Sequence, residues 1–202
     1  MKLYYSPGAC SMAVHIVLNE GEFTFDLEQV DLATKKTASG GDFTAVNPNG
    51  YVPALELDTG ETLTEAIVIL GYLADQVPER NLAPAAGSMA HYRLQETLNF
   101  LSTELHKGFG SLFKPAMPDD WRQQVKAGLG KRLDVIARQL EGRQYLMGDE
   151  FSIADAYLFT ILGWSGPVKM DLSPWPVLAS YSARIAGRPA VQATMKAEGL
   201  IG

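Results

Sequence analysis

The chain has 202 residues, 47% hydrophobic and 20% charged, which is length and apolar content enough for one soluble domain or two small ones. Its formal net charge is −6 with both signs scattered, which argues against a nucleic-acid or anionic-membrane surface, since either requires a basic patch. The single cysteine, Cys10, excludes an internal disulfide and fits a reducing compartment. With no basic leader and no apolar window of membrane-spanning length, a cytoplasmic protein is expected. In chain order, Lys2–Tyr5 reads as a strand, broken by Ser6-Pro7-Gly8, and Ser11–Glu20 reads as a helix closed at Gly21. Phe23, Phe25, Leu27, Val30 and Leu32 give a second strand with a slip in phase.

A short helix at Asp42–Val46 ends in the turn cluster Asn47-Pro48-Asn49-Gly50, and Val52-Pro53 leads into a strand at Ala54–Leu57. Asp58-Thr59-Gly60 turns the chain into a fourth strand, Thr62–Thr64, and Glu65–Asp75 is helical. Strand signals then vanish. Leu94, Leu98, Leu101 and Leu105 make Met89–Lys107 a long amphipathic helix, ended by Gly108 and Gly110. Asp119–Leu140 is a second, Ser152–Asp155 a capping box before a third, and Trp175–Ala186 and Ala190–Glu198 are weaker helices. The fold class is α/β plus all-α: a βαβαββα domain over 1–76, a linker over 77–86, and a helical-bundle domain over 87–202.

Four features could carry chemistry. Cys10 opens a helix, where unpaired N–H groups and the macrodipole favour a thiolate, although an arbitrary lone cysteine is more often a buried structural thiol. The following residues are Ser11-Met12-Ala13, so no resolving thiol exists and redox work would have to be monothiol. Val52-Pro53 is a candidate cis bond whose Val52 backbone would face outward and pair with a peptide like an added strand, though most such pairs are ordinary turns. Thr64-Glu65-Ala66 starts a helix whose N–H groups suit a carboxylate, with Glu65 able to meet an ammonium or simply complement the dipole. Asn99, Thr103 and His106 are spaced 4 and 3, so an uncharged polar face with an imidazole is expected opposite the leucines, in place of the usual solvated stripe. No histidine pair has zinc-like spacing with Cys10, so no metal is expected.

Met1–Ser11, Val46–Pro53, Leu63–Ala66, Thr103–Phe109 and Phe151–Phe159 together make the whole chain resemble the bacterial beta-class glutathione transferases. The resemblance implies a thioredoxin-like N-terminal domain, a helical C-terminal domain, a homodimer, and a role in detoxification with glutathione as co-substrate. It implies that Cys10 lies near the glutathione sulfur and that Val52, before cis-Pro53, pairs with its cysteinyl part. Glu65 and Ala66 would hold the γ-glutamyl end, and Lys35 would help with the glycyl end. Asn99, Thr103, Glu104, Leu105 and His106 would be the helix-borne contribution, some of it across a dimer interface. Two positions depart from the family pattern: Ala66 stands where Gly or Ser is usual, losing a hydroxyl contact, and Tyr51 where Gln is frequent.

The activity so implied is attack of the glutathione thiolate on a small hydrophobic electrophile, with disulfide exchange or peroxidase side activity. Helix-start N–H groups around Cys10 and Ser11 would lower the thiol pKa, and His106 would stabilise the thiolate or act as acid/base. Phe109, Phe113, Met117 and Trp164 are as good core residues as pocket-lining ones. The competing readings are a monothiol oxidoreductase working through a Cys10 mixed disulfide, and a non-catalytic binding protein that keeps the fold.

Overall fold

The computed structural model describes residues 1–202 and groups them into two compact units, residues 1–80 with 188–202, and residues 81–187. The sequence predicts a helical domain over 87–202. Residues 188–202 instead group with the α/β unit, because their polar side chains are matched there. Arg188 meets Glu20 with Nε 2.6 Å from Oε1 and an Nη 2.8 Å from Oε2. Asn19 donates to Thr194 Oγ1 at 2.8 Å.

In the first unit, β1 (Lys2–Tyr5), β2 (Asp26–Gln29), β3 (Ala54–Glu56) and β4 (Thr62–Thr64) form one sheet in the order β2-β1-β3-β4. β1 pairs in parallel with β2 and antiparallel with β3, and β3 pairs antiparallel with β4. The parallel step needs a crossover, which α1 (Ser11–Glu20) supplies. α1 is buried from Ser11 to Leu18, since it packs on β1, on α2 (Ala66–Gln76) and on the last helix, α8 (Pro189–Ala197). This is why its sequence is apolar on nearly every side. The second strand is shorter than its apolar alternation suggests. The left-handed residue of the turn before it is Glu22 (φ 54°), while Gly21 stays right-handed (φ −82°), and Phe23 still bonds back to Leu18. Short 3₁₀ turns occupy Phe43–Ala45 and Pro78–Arg80.

The second unit holds α3 (Met89–Phe100), α4 (Lys107–Leu112), α5 (Asp119–Leu140), α6 (Ile153–Gly163) and α7 (Pro176–Ala186). None of the protein's helices is long and apolar enough to cross a membrane. α3 and α4 are one continuous rod joined by a π-helical stretch, Leu101–His106, and the rod runs past both expected terminators to Leu112. Gly108 serves a close approach instead: a Cβ there would stand 2.6 Å from Leu129 Cδ2 of α5. α6 is buried along Ile153–Leu162 and forms the unit's axis. Its capping box is present. The buried Asp155 carboxylate also accepts the Leu146 N–H at 2.8 Å and the Tyr181 hydroxyl at 2.9 Å, tying two distant segments to one helix start.

Candidate active site

Three chain segments leave the sheet of the first unit at the same end. β3 runs antiparallel to β1 with Tyr4 opposite Ala54, so the Ser6–Cys10 loop lies at the end where Val52-Pro53 enters. β4 runs antiparallel to β3 with Thr64 opposite Ala54, which brings Glu65-Ala66 out there as well. Topology therefore gathers three sequence-distant candidates.

Cys10 sits at the cap of α1, partly buried, and its Sγ donates to the Val52 carbonyl at 3.1 Å. The Val52–Pro53 bond is cis, as its sequence context suggested. Val52 and Pro53 are buried, and Tyr51 beside them is 71% exposed. Glu65 is exposed and adopts φ 68°, a region costly for a residue with a Cβ. Its carbonyl takes the N–H groups of Val68 and Ile69, and the first N–H of α2, at Ala66, has no acceptor within its helix. A helix start with a strained carboxylate-bearing cap is suited to a zwitterionic end group. Lys35 donates to the Gly50 carbonyl at 2.9 Å, and its ammonium lies 5.6 Å from the Tyr51 ring centre. It braces the loop before Val52 and carries a cation there.

Ser11, named among the catalytic candidates, follows Cys10 as the first residue of α1. It is fully buried, accepting the Ser6 N–H at 3.1 Å and donating to the Ser6 carbonyl at 3.3 Å, so it staples the loop. A second staple had no signal in the sequence. Glu198 accepts the Gly8 N–H at 2.8 Å through one oxygen and meets His15 Nδ1 at 2.9 Å through the other. His15, unpromising on sequence grounds, is a buried anchor edged by Tyr5 and Phe25.

In the second unit, His106 does not share the exposed face of Asn99 and Thr103. π bonding spans one more residue per turn than α bonding, so each residue of Leu101–His106 advances less around the axis. His106 is carried inward, with Nδ1 2.5 Å from the Tyr157 hydroxyl and its ring edge-on to Trp164 at 4.9 Å. Burial, reinforced by the neighbouring Lys107 charge, pushes its pKa down to about 4, so the imidazole is neutral at pH 7. Thr103 donates to the Asn99 carbonyl at 3.0 Å, one helical turn back. Glu104 pairs through one carboxylate oxygen with Arg132, 2.9 Å away on α5, and both side chains stay partly exposed, while Leu105 is wholly inside the core. Of the candidate pocket residues, Phe109 is core and Phe113 is half exposed, edge-on to Trp164 at 6.2 Å. No three His, Cys, Asp or Glu side chains are gathered as metal ligands would be.

Family models described as the N-terminal and C-terminal domains of glutathione S-transferase match residues 8–76 and 100–189. The chain is 47% identical over 200 residues to glutathione S-transferase GstA of Escherichia coli O157:H7, covering 99% of this chain and 100% of that one. Among solved structures, a ternary complex of the bacterial transferase BphK superposes with a TM-score of 0.97 at 58% identity, covering 98% of this chain and 100% of its own. A sphingomonad glutathione S-transferase complexed with glutathione gives 0.95 at 49% identity, with both chains covered completely. A bacterial beta-class enzyme from Sphingomonas chungbukensis gives 0.96 at 49%, again over both full lengths.

Proposed function

The chain belongs to the glutathione S-transferase family, in its bacterial beta class, and we propose that it conjugates glutathione to small hydrophobic electrophiles. The observation that carries this reading is the Cys10 Sγ–Val52 carbonyl contact at 3.1 Å. It sets a thiol at a helix start against the peptide that precedes cis-Pro53, where a cysteinyl backbone would pair. Such a ligand would claim the Val52 carbonyl and release the Cys10 S–H to hydrogen-bond the incoming sulfur.

Lys35, Val52, Pro53, Glu65 and Ala66 are the first unit's surface for glutathione in this reading, with Ser11 holding the loop. Asn99, Thr103 and His106, on the rod of the second unit, are proposed from the family likeness alone to serve the same reaction. In the reaction, the glutathione thiol gives its proton to solvent and the thiolate attacks an electrophilic carbon. With an activated aryl halide the C–S bond forms first by addition to the ring carbon, and the carbon–halogen bond then breaks, the halide leaving with the electron pair. Helix-start N–H groups and neutral hydrogen-bond donors stabilise the sulfur anion without themselves changing charge.

The second reading, monothiol disulfide exchange, is favoured by Cys10 being a partly exposed lone thiol at that edge. Cys10→Ala separates the two. Conjugation of an activated aryl halide should survive while reduction of a glutathione mixed disulfide is lost; loss of both would defeat the division of roles. If glutathione failed to raise the melting temperature of the wild type, a non-catalytic role for the fold would replace both. The protein is further proposed to act as a cytoplasmic homodimer. Met89 and Tyr92, exposed three residues apart on α3, support the dimer, and light scattering tests it.

A further inference from the structure

We propose that Tyr157 is a positioning residue that fixes the tautomer of His106, leaving Nδ1 as an acceptor and placing the ring proton on Nε2. The imidazole then works as a neutral hydrogen-bond donor and is barred from acting as a base through Nε2.

The geometry rests on α6. Its N-terminus is held by the Asp155 carboxylate, which accepts Ser152 N–H at 2.9 Å and Tyr181 O–H at 2.9 Å, two residues before Tyr157. Tyr157 is 1% exposed, so its hydroxyl has little freedom to move. Trp164 follows seven residues later, two turns along the same face, and the His106 ring meets both aromatic rings, at 5.8 Å and 4.9 Å between centres. The ring plane is thereby set by packing and its Nδ1 edge by the hydroxyl at 2.5 Å.

The proton's place follows from chemistry. A neutral imidazole has one N–H and one lone-pair nitrogen, and a phenol can donate or accept. A phenol is the stronger acid of the two donors, with a pKa of about 10, and the imidazole nitrogen is the more basic of the two acceptors. At so short a separation the favoured arrangement is O–H donating to Nδ1. Burial keeps the imidazole neutral, so the remaining proton stays on Nε2. Tyr157 lies within the Phe151–Phe159 motif, whose other marked residues cap the helix, and so acquires a separate duty.

The proposal rests on the reading of His106 as a group that acts on the reacting sulfur or electrophile, and its tests keep the two apart. Long-range proton–nitrogen correlation spectra of the 15N-labelled wild type at pH 7.5 should show His106 with Nε2 protonated and Nδ1 bare. The opposite pattern would overturn the assignment. Tyr157→Phe should mix the two tautomers in the same spectra. It should also lower kcat for an activated aryl halide about tenfold, with KM for glutathione within about twofold. An unchanged kcat in a Tyr157→Phe protein that is folded would overturn the positioning role. His106→Gln keeps an N–H near the place of Nε2 but supplies no base, and should retain several-fold more conjugation than His106→Ala. Equal rates in the two would overturn the donor role. Wild-type rates in His106→Ala, beside an intact Nε2–H pattern in the wild type, would instead sink the reading of His106 as a site group.

Discussion

Glu198 and Gly8 are 190 positions apart in the chain, yet the Glu198 carboxylate accepts the Gly8 N–H at 2.8 Å. The other carboxylate oxygen meets His15 on α1. One buried side chain from the C-terminal segment thus holds both the loop that leads to Cys10 and the helix that follows it. Glu198→Ala removes the acceptor of the Gly8 N–H and the partner of buried His15, and should cost about 2–4 kcal/mol in urea denaturation, with KM for glutathione rising as the loop loosens. Glu198→Gln, which keeps an acceptor, should cost roughly half as much. Equal stabilities for all three proteins would show that the clasp contributes nothing.

Asp155 gathers Leu146 N–H, Ser152 N–H and O–H, and Tyr181 O–H around one buried carboxylate, and burial raises its pKa. Removing it as Asp155→Ala takes the carboxylate from all four donors and leaves only the Tyr181 hydroxyl another acceptor, the main-chain carbonyl of residue 155 at 3.3 Å, so a loss of about 3–5 kcal/mol is expected. Thermal melts followed by circular dichroism measure this. A drop in Tm of only a degree or two would refute the anchoring role.

His106 is depressed from 6.5 to about 4 in the folded protein by burial and by Lys107. The unfolded chain therefore binds the proton first as acid is added. Stability attributable to this group is full above pH 6.5 and is lost as pH falls towards 4. Between pH 7 and pH 5 the wild type should lose about 1–2 kcal/mol more than His106→Gln in paired urea titrations, and parallel losses would count against it. The rate should show no titration of His106 between pH 8 and pH 5.

Glu65 holds φ 68° with a carboxylate at the start of α2. Glu65→Gly removes the conformational cost but adds chain entropy to the unfolded state, so the two effects of about 1 kcal/mol nearly cancel. Binding should behave differently: both Glu65→Gly and Glu65→Gln should weaken glutathione about tenfold or more by calorimetry. Affinity retained in both variants would remove Glu65 from the site.

The order of elements in the first unit was legible because each is short, local and punctuated. Leu3-Tyr4-Tyr5, the Asn47–Gly50 turn and the Asp58-Thr59-Gly60 turn each carry their own signal. The candidates Cys10, Val52-Pro53 and Glu65 were legible for the same reason, since a helix start or an x-Pro bond is a local fact. The capping box was too, its two partners being three residues apart.

The amino-acid sequence by itself determined the two fold classes, the lone thiol at a helix start, and the periodic apolar faces that build each core. Tertiary structure alone decided which polar side chains are spent on scaffolding. Ser11 is spent on the Ser6 loop and Glu104 on Arg132, partners that no local pattern in the sequence names. His106 left the Asn99–Thr103 face because a π stretch is invisible to a leucine stripe that tolerates spacings of both 3 and 4. The assignment of residues 188–202 to the first unit has the same origin. Carboxylates such as Glu198 find their donors through space, and no local pattern encodes a partner nearly two hundred residues away.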